Sequence, residues 1–210
     1  MENGNDFKDL IASTPDDLSA KERILRTALI LFNKNGIHTT GIEKIISESG
    51  VAKATFYKHF PSKTNLVRAY LEYKDVIWFR RFDQFTSGVS LSSLDRLLGI
   101  FDALEAWFSE PGFRGCPFIK GLTEFDPVVD PEVFECVSQH FVKTQRFVED
   151  RLKEVVPNKA AEFAPKVMSL IAGATILAVA TGNQESARMS KSMLKVLIEQ
   201  AKSSDSLPAS

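Results

Sequence analysis

The sequence lacks most of what would staple, anchor or arm a protein. It has two cysteines in 210 residues, Cys116 and Cys136, with no metal-ligand spacing around them. A disulfide scaffold and a zinc site are therefore excluded as its organising principle, and a reducing cytoplasm is the expected location. Long hydrophobic runs are missing too. The longest, from Met168 to Thr181, is 14 residues interrupted by Ser, Gly and Thr, which suits a buried helix rather than a bilayer span. Residues 1–18 are acidic and lack the basic and apolar regions of a signal peptide, so they read as a disordered tail, as do residues 204–210. No stretch alternates strictly between apolar and polar residues, so no strand is expected. Catalytic constellations are also wanting. Cys116, His140 and Glu124 are the best available set, without the spacing or elbow that nucleophilic catalysis uses, so the chain is not read as an enzyme and no cofactor or metal is expected.

What is present is helix after helix. Lys21 to Asn35 sets Ile24, Leu25, Ala28, Leu29, Leu31 and Phe32 on one broad face, with Ser19 to cap its start and Gly36 to end it. Thr40 and Glu43 have the spacing of a capping box before a short helix with Ile42, Ile45 and Ile46 on one side. Gly50 supplies a tight turn, and Phe56 and Phe60, one helical turn apart, pack the next helix inward. A long helix runs from Ser62 to about Phe85, another from Leu94 to Phe108, and a sixth starts at Pro117. Asp130-Pro131 opens a seventh that stops before Pro157; two more follow, near Lys159–Thr181 and Ala187–Lys202. The expected fold is all-α, with about nine helices: a three-helix head with a helix-turn-helix over 19–66, then a larger helical body over 67–203.

Charge divides along the same line. The net charge is -1, but Ser19 to Arg68 holds nine Lys/Arg against three Asp/Glu, leaving 17 against 24 elsewhere. A basic head on an acidic body is the footprint of a nucleic-acid reader joined to something else. The outward face of the helix after Gly50 carries Lys53, Thr55, Tyr57, Lys58 and His59, a set of donors and cations suited to a major groove.

The 28 residues from Thr39 to Leu66 carry a specific pattern: a threonine pair, an isoleucine-rich helix, Ser49-Gly50-Val51-Ala52-Lys53-Ala54-Thr55-Phe56-Tyr57-Lys58-His59-Phe60, then Ser62-Lys63-Thr64-Asn65-Leu66. This resembles the TetR family of transcriptional regulators. Two positions depart from the family pattern: Ala52 stands where a serine cap is usual, and Ala54 where glycine is common. The resemblance implies that Lys53, Ala54 and Thr55 read bases of double-stranded DNA. It also implies that Thr39 or Thr40, Tyr57, Lys58, His59 and Lys63 hold phosphates. It implies a homodimer built from the last two helices, an approximately palindromic operator, and a repressor released by a small-molecule effector.

Independently of that resemblance, the last helix is apolar on two sides, Met189-Met193-Val196-Leu197 and Leu194-Ile198-Ala201, so it has two surfaces to cover. Eight of the 16 phenylalanines lie between Phe101 and Phe147, joined by Trp107. Trp107, Cys116, Phe118, Phe125 and Phe141 are the candidate pocket residues, implying a small hydrophobic or aromatic effector. Cys116, ahead of Pro117 at a helix start with Arg114 nearby, supports an alternative in which its thiol senses oxidants or electrophiles. A ligand-independent interaction protein with a vestigial reader is the remaining alternative.

Overall fold

The computed structural model describes residues 9–205, and all of their regular structure is helical. Nine α-helices occur there: α1 Ala20–Asn35, α2 Ile42–Ser49, α3 Lys53–His59, α4 Lys63–Thr86, α5 Ser93–Phe108, α6 Pro117–Glu124, α7 Pro131–Lys153, α8 Ala160–Thr181 and α9 Ser186–Asp205. The chain divides into two compact units. One comprises residues 1–74 and 124–136, the other 75–123 and 137–210.

In the first unit, α1 packs against both α2 and α3. Ser19 and Glu22 form the capping box that starts α1: Glu22 N–H donates to Ser19 Oγ, and Ser19 N–H donates back to the Glu22 carboxylate at 2.7 Å. The box expected at Thr40 and Glu43 does not form. Gly41 is the N-cap of α2, and no side chain caps that end. Thr40 is fully buried and its hydroxyl donates instead to the Gly36 carbonyl at 2.7 Å, tying down the turn that follows α1. Gly50 ends α2 at φ 65°, a left-handed conformation that a side chain would strain. Ile24, Ile45, Phe56 and Leu66 are each wholly buried and form the centre of this unit. Burying a side chain of that size contributes about 1.5–3 kcal/mol.

Two sequence boundaries shift. Residues 1–8 of the expected tail lie outside the described residues, but 9–18 are folded: Leu10 and Leu18 are buried, Pro15–Asp17 forms a 3-10 turn, and Leu10 N–H donates to Tyr73 Oη at 3.0 Å. Apolar side chains spaced along a polar segment were enough to hold it. At the other end, α9 continues to Asp205, and 206–210 lie outside the described residues. Residues 124–136 belong with the head because Phe125 is buried against the His38 ring, His38 Nε2 lies 2.8 Å from the Glu124 carbonyl, and Arg68 pairs with Glu132 at 2.8 Å.

In the second unit, α5 is central and packs on α8 and α9. Its Leu97, Leu98, Ile100, Phe101, Ala103, Leu104 and Phe108 are all buried. Gly99 is obligatory there, since a Cβ would sit 2.3 Å from the Phe85 carbonyl oxygen of α4. Lys191 of α9 donates to both oxygens of Asp102 on α5, at 2.5 and 2.6 Å. Residues 157–181, which include α8, are long and apolar enough by length and composition to cross a membrane, a longer apolar stretch than the 14-residue run read from the sequence. Phe163, Val167, Ile171, Ala174 and Ala178 of this helix lie in the core, whereas Ile176, Leu177 and Val179 are exposed.

Candidate nucleic-acid interface and body cavity

The head presents α3 edge-on to solvent. Phe56 and Phe60 are buried, their rings 6.3 Å apart, and this anchors the inner side of the helix. Lys53, Ala54, Tyr57 and Lys58 are then left exposed on the outer side, with Thr55 and His59 half-buried at its margins. Ala52 is the N-cap and supplies no side-chain acceptor, so the first amides of α3 remain open. The same holds for α2 behind Gly41. Open amides at helix starts are receptive to anions.

Lys53 has a partner that sequence spacing did not show. Its Nζ lies 2.6 Å from Glu43 Oε1 of α2, and this hydrogen bond with the neighbouring negative charge raises the Lys53 pKa. Both side chains are more than half exposed, at 64% and 71%. An exposed pair of this kind holds weakly, so it orients the cation without withholding it from a stronger anion.

The flanking positions sort into two kinds. Thr39 is exposed, with its hydroxyl donated to the Asn35 carbonyl. Thr40, by contrast, is interior and its hydroxyl is engaged with backbone, so its place is in the turn rather than on the surface. Lys63 starts α4, half-buried, with Nζ 3.3 Å from the His38 carbonyl oxygen; burial lowers its pKa. It ties the turn after α1 to the start of α4 while keeping its charge near the surface.

The body holds a small cavity of about 20 Å³, room for about one water. Its walls include Trp78, Cys116, His140, Phe141, Met168 and Ile171. Of the residues expected in a pocket, Cys116 and Phe141 line it. Trp107 does not: it packs edge-on against Trp78 and Phe113 under the Arg81 guanidinium. Phe118 is buried flat against the His140 ring, 3.6 Å between centroids, and lies behind the wall. Phe125 belongs to the other unit, buried on His38. The reason is common to all three: aromatic spacing marks burial, and most burial is core.

Trp78 and His140 were missed because neither has a sequence signal that separates it from packing. His140 is 3% exposed, and its Nδ1 lies 2.7 Å from Asp75 Oδ1, while Lys143 holds the other Asp75 oxygen at 2.8 Å. Burial lowers the His140 pKa despite the opposing pull of Asp75, so the ring is held neutral. Burial alone would raise the Asp75 pKa, but hydrogen bonds from His140 and Lys143 outweigh it and hold the carboxyl below its ordinary value. A carboxylate only accepts, so Nδ1 carries the imidazole proton and Nε2 is left as an acceptor. Both cysteines are free thiols; Cys116 is 5% exposed, and burial raises the Cys136 pKa although Arg68 opposes it. Among the described residues no group of His, Cys, Asp and Glu has the arrangement of a metal site.

Residues 24–70, which contain α1 to α3 and the start of α4, match the family model of bacterial regulatory proteins, tetR family. The chain is 47% identical over 53 residues to the uncharacterized HTH-type transcriptional regulator YerO of Bacillus subtilis, a match covering 25% of this chain and 18% of that one. It is 30% identical over 103 residues to the transcriptional regulator AcuR of Cereibacter sphaeroides, covering 49% of this chain and 47% of AcuR. The chain thus spans less than half the length of either sequence relative. Its likeness to the crystal structure of SCO4454, a TetR-family transcriptional regulator from Streptomyces coelicolor, is wider: TM-score 0.79 at 25% identity, covering 87% of this chain and 95% of that one. With a matching head sequence and the same helical architecture along most of its length, the chain belongs to the TetR family of helix-turn-helix transcriptional regulators.

Proposed function

We propose that the protein is a dimeric, sequence-specific repressor that binds an approximately palindromic operator and is released from it by a small effector. The observation that carries DNA reading is the division of α3, with Phe56 and Phe60 inside and Lys53, Ala54, Tyr57 and Lys58 outside. In this reading Lys53, Ala54 and Thr55 meet base edges, Lys53 donating to guanine acceptors and the Thr55 methyl facing thymine. Thr39, Tyr57, Lys58, His59 and Lys63 hold phosphates, together with the open amides at the starts of α2 and α3. Thr40 supports that surface from within.

Dimerisation is supported by an apolar, uncharged stripe. Ile176 and Leu177 of α8 and Met189, Met193 and Val196 of α9 are each about half exposed, and no charged residue occurs between Met168 and Gly182. A contiguous apolar surface of this kind on a soluble protein marks a contact with another chain. A second copy is the economical partner, because a two-fold axis would supply two readers to successive major grooves. Repression follows by occupancy of the promoter. Release follows if an effector in the body prefers the state that does not bind DNA; a hundredfold preference supplies about 2.7 kcal/mol of coupling. The thiol-sensor alternative is disfavoured by the burial of Cys116, since reactive thiols sit partly exposed in electropositive surroundings.

Fluorescence anisotropy of the purified protein on DNA upstream of its own gene, at two salt concentrations, tests this reading. Tight binding with a log K versus log salt slope near about -7 is expected, from about four phosphate contacts per subunit. Lys53→Ala should weaken it roughly tenfold or more, and Met193→Glu should both split the dimer in sedimentation and remove tight binding. Equal affinity for scrambled DNA would overturn the proposal.

A further inference from the structure

The body cavity has a definite polar demand in an otherwise apolar wall. Trp78 lines it, is 7% exposed, and its Nε1–H is buried with no acceptor in reach. A buried indole N–H left unpaired costs about 1–3 kcal/mol, so the position asks for an acceptor. His140 lines the same cavity with its Nδ1 proton committed to Asp75, which leaves Nε2 to accept. The two rings meet edge-on with centroids 5.7 Å apart, so one donor and one acceptor are offered close together. Thr144 and Thr175 also line the wall, but their hydroxyl protons go to the His140 and Ile171 carbonyls.

No charged side chain lines the cavity, and the Asp75 carboxylate behind His140 is already engaged by Lys143. An ionised ligand would therefore lose its hydration without a counter-charge. A hydroxyl group fits the remaining demand, because a single oxygen both accepts and donates. The other walls, Phe141, Ile119, Met168 and Ile171, suit a flat apolar body for that hydroxyl to hang from. At about 20 Å³ the space must widen on entry; Met168, unbranched and adaptable, is the wall residue most able to give way.

We propose that this cavity opens to take an uncharged, apolar molecule bearing a hydroxyl group, of which phenol is the simplest aromatic case, with the hydroxyl accepting from Trp78 Nε1 and donating to His140 Nε2. The inference rests on the effector reading above and gives that effector a chemical class.

The test uses the intact protein, labelled with 15N, and three probes of similar shape: phenol, anisole and toluene. The chain has two tryptophans, Trp78 and Trp107, so its indole N–H region is simple to follow by NMR. Phenol should bind saturably, shift the Trp78 indole proton downfield, and bind at least tenfold tighter than anisole, which cannot donate, and toluene, which can do neither. Trp78→Phe should erase that preference; because Trp78 is a core residue, the probe series on the unaltered protein decides the matter if the variant does not fold. Equal binding of the three probes overturns the hydroxyl assignment, and no saturable binding by any of them overturns the site, leaving a water-filled void. Operator binding measured on the same sample separates the two readings. Specific DNA binding with failure of phenol removes only this inference, whereas phenol binding without DNA specificity removes the regulator instead.

Discussion

In the head, the side chains that would meet a partner are those the fold leaves outside, whereas in the body they are those it has taken in. Lys53, Tyr57 and Lys58 are exposed because Phe56 and Phe60 hold the opposite side of α3 in the core. Trp78 and His140 are almost wholly buried, and what singles them out is an unmet hydrogen bond and a proton committed elsewhere. A surface reader is specified by which residue types face outward, so its chemistry survives in the order of the residues. An interior receptor is specified by which polar atom lacks a partner, and that depends on neighbours distant in the chain.

The largest effect should come from removing the brace beneath the reader. Phe56→Ala should cost about 3–5 kcal/mol in urea unfolding and abolish operator binding although no exposed residue has changed. Undiminished DNA binding would show that the surface does not depend on that core. In the body, Gly99→Ala should cost about 1–3 kcal/mol, because the new methyl meets the Phe85 carbonyl oxygen at 2.3 Å. An unchanged denaturation midpoint would mean that α4 and α5 are less closely apposed.

Smaller effects sharpen the distinction at the head's surface. Thr40→Val should lower stability by about 1 kcal/mol, through loss of the hydrogen bond to Gly36, and leave the salt dependence of DNA binding untouched. Lys58→Ala should do the reverse, reducing the salt slope by about 1 with the thermal midpoint unmoved. If Thr40→Val altered the slope, its hydroxyl would have to be turned outward in the complex.

The smallest effect concerns the buried imidazole. Its folded pKa lies below the ordinary 6.5, so the unfolded chain takes up a proton that the folded chain resists. Its contribution to stability is thus complete above pH 6.5 and is lost as pH falls from there toward the depressed folded value. Asp75, also depressed, adds a loss in the same direction at lower pH, beginning near 3.8. Chemical denaturation across pH 5 to 8 should therefore show a decline on the acid side that His140→Gln flattens; parallel profiles would remove His140 as its source.

Most of the fold was legible in advance. The 3.6-residue period with Ser19, Gly36, Gly50, Pro117 and Pro131 as punctuation located the helices, since caps and breakers act within a turn or two of chain. Thr40 shows where that reasoning stops. The Thr-x-x-Glu spacing was present, but the side chain was drawn into the core and Gly41 became the cap. Phe125 shows the same from the other side. It reads as one more aromatic among the body's phenylalanines, yet it packs on His38, 87 positions away in the chain and on the opposite side of the unit boundary expected from composition.

By itself, the sequence determined an all-helical chain with a basic helix-turn-helix head and an outward reading face, because helix periodicity, capping and charge placement are local properties. The tertiary structure alone decided that Glu43 orients Lys53, that Thr40 is interior, that residues 124–136 join the head, and that Trp78 and His140 share a cavity wall. Each of these is a meeting of residues set by packing between helices, and no local pattern encodes which distant side chain will fill a given space.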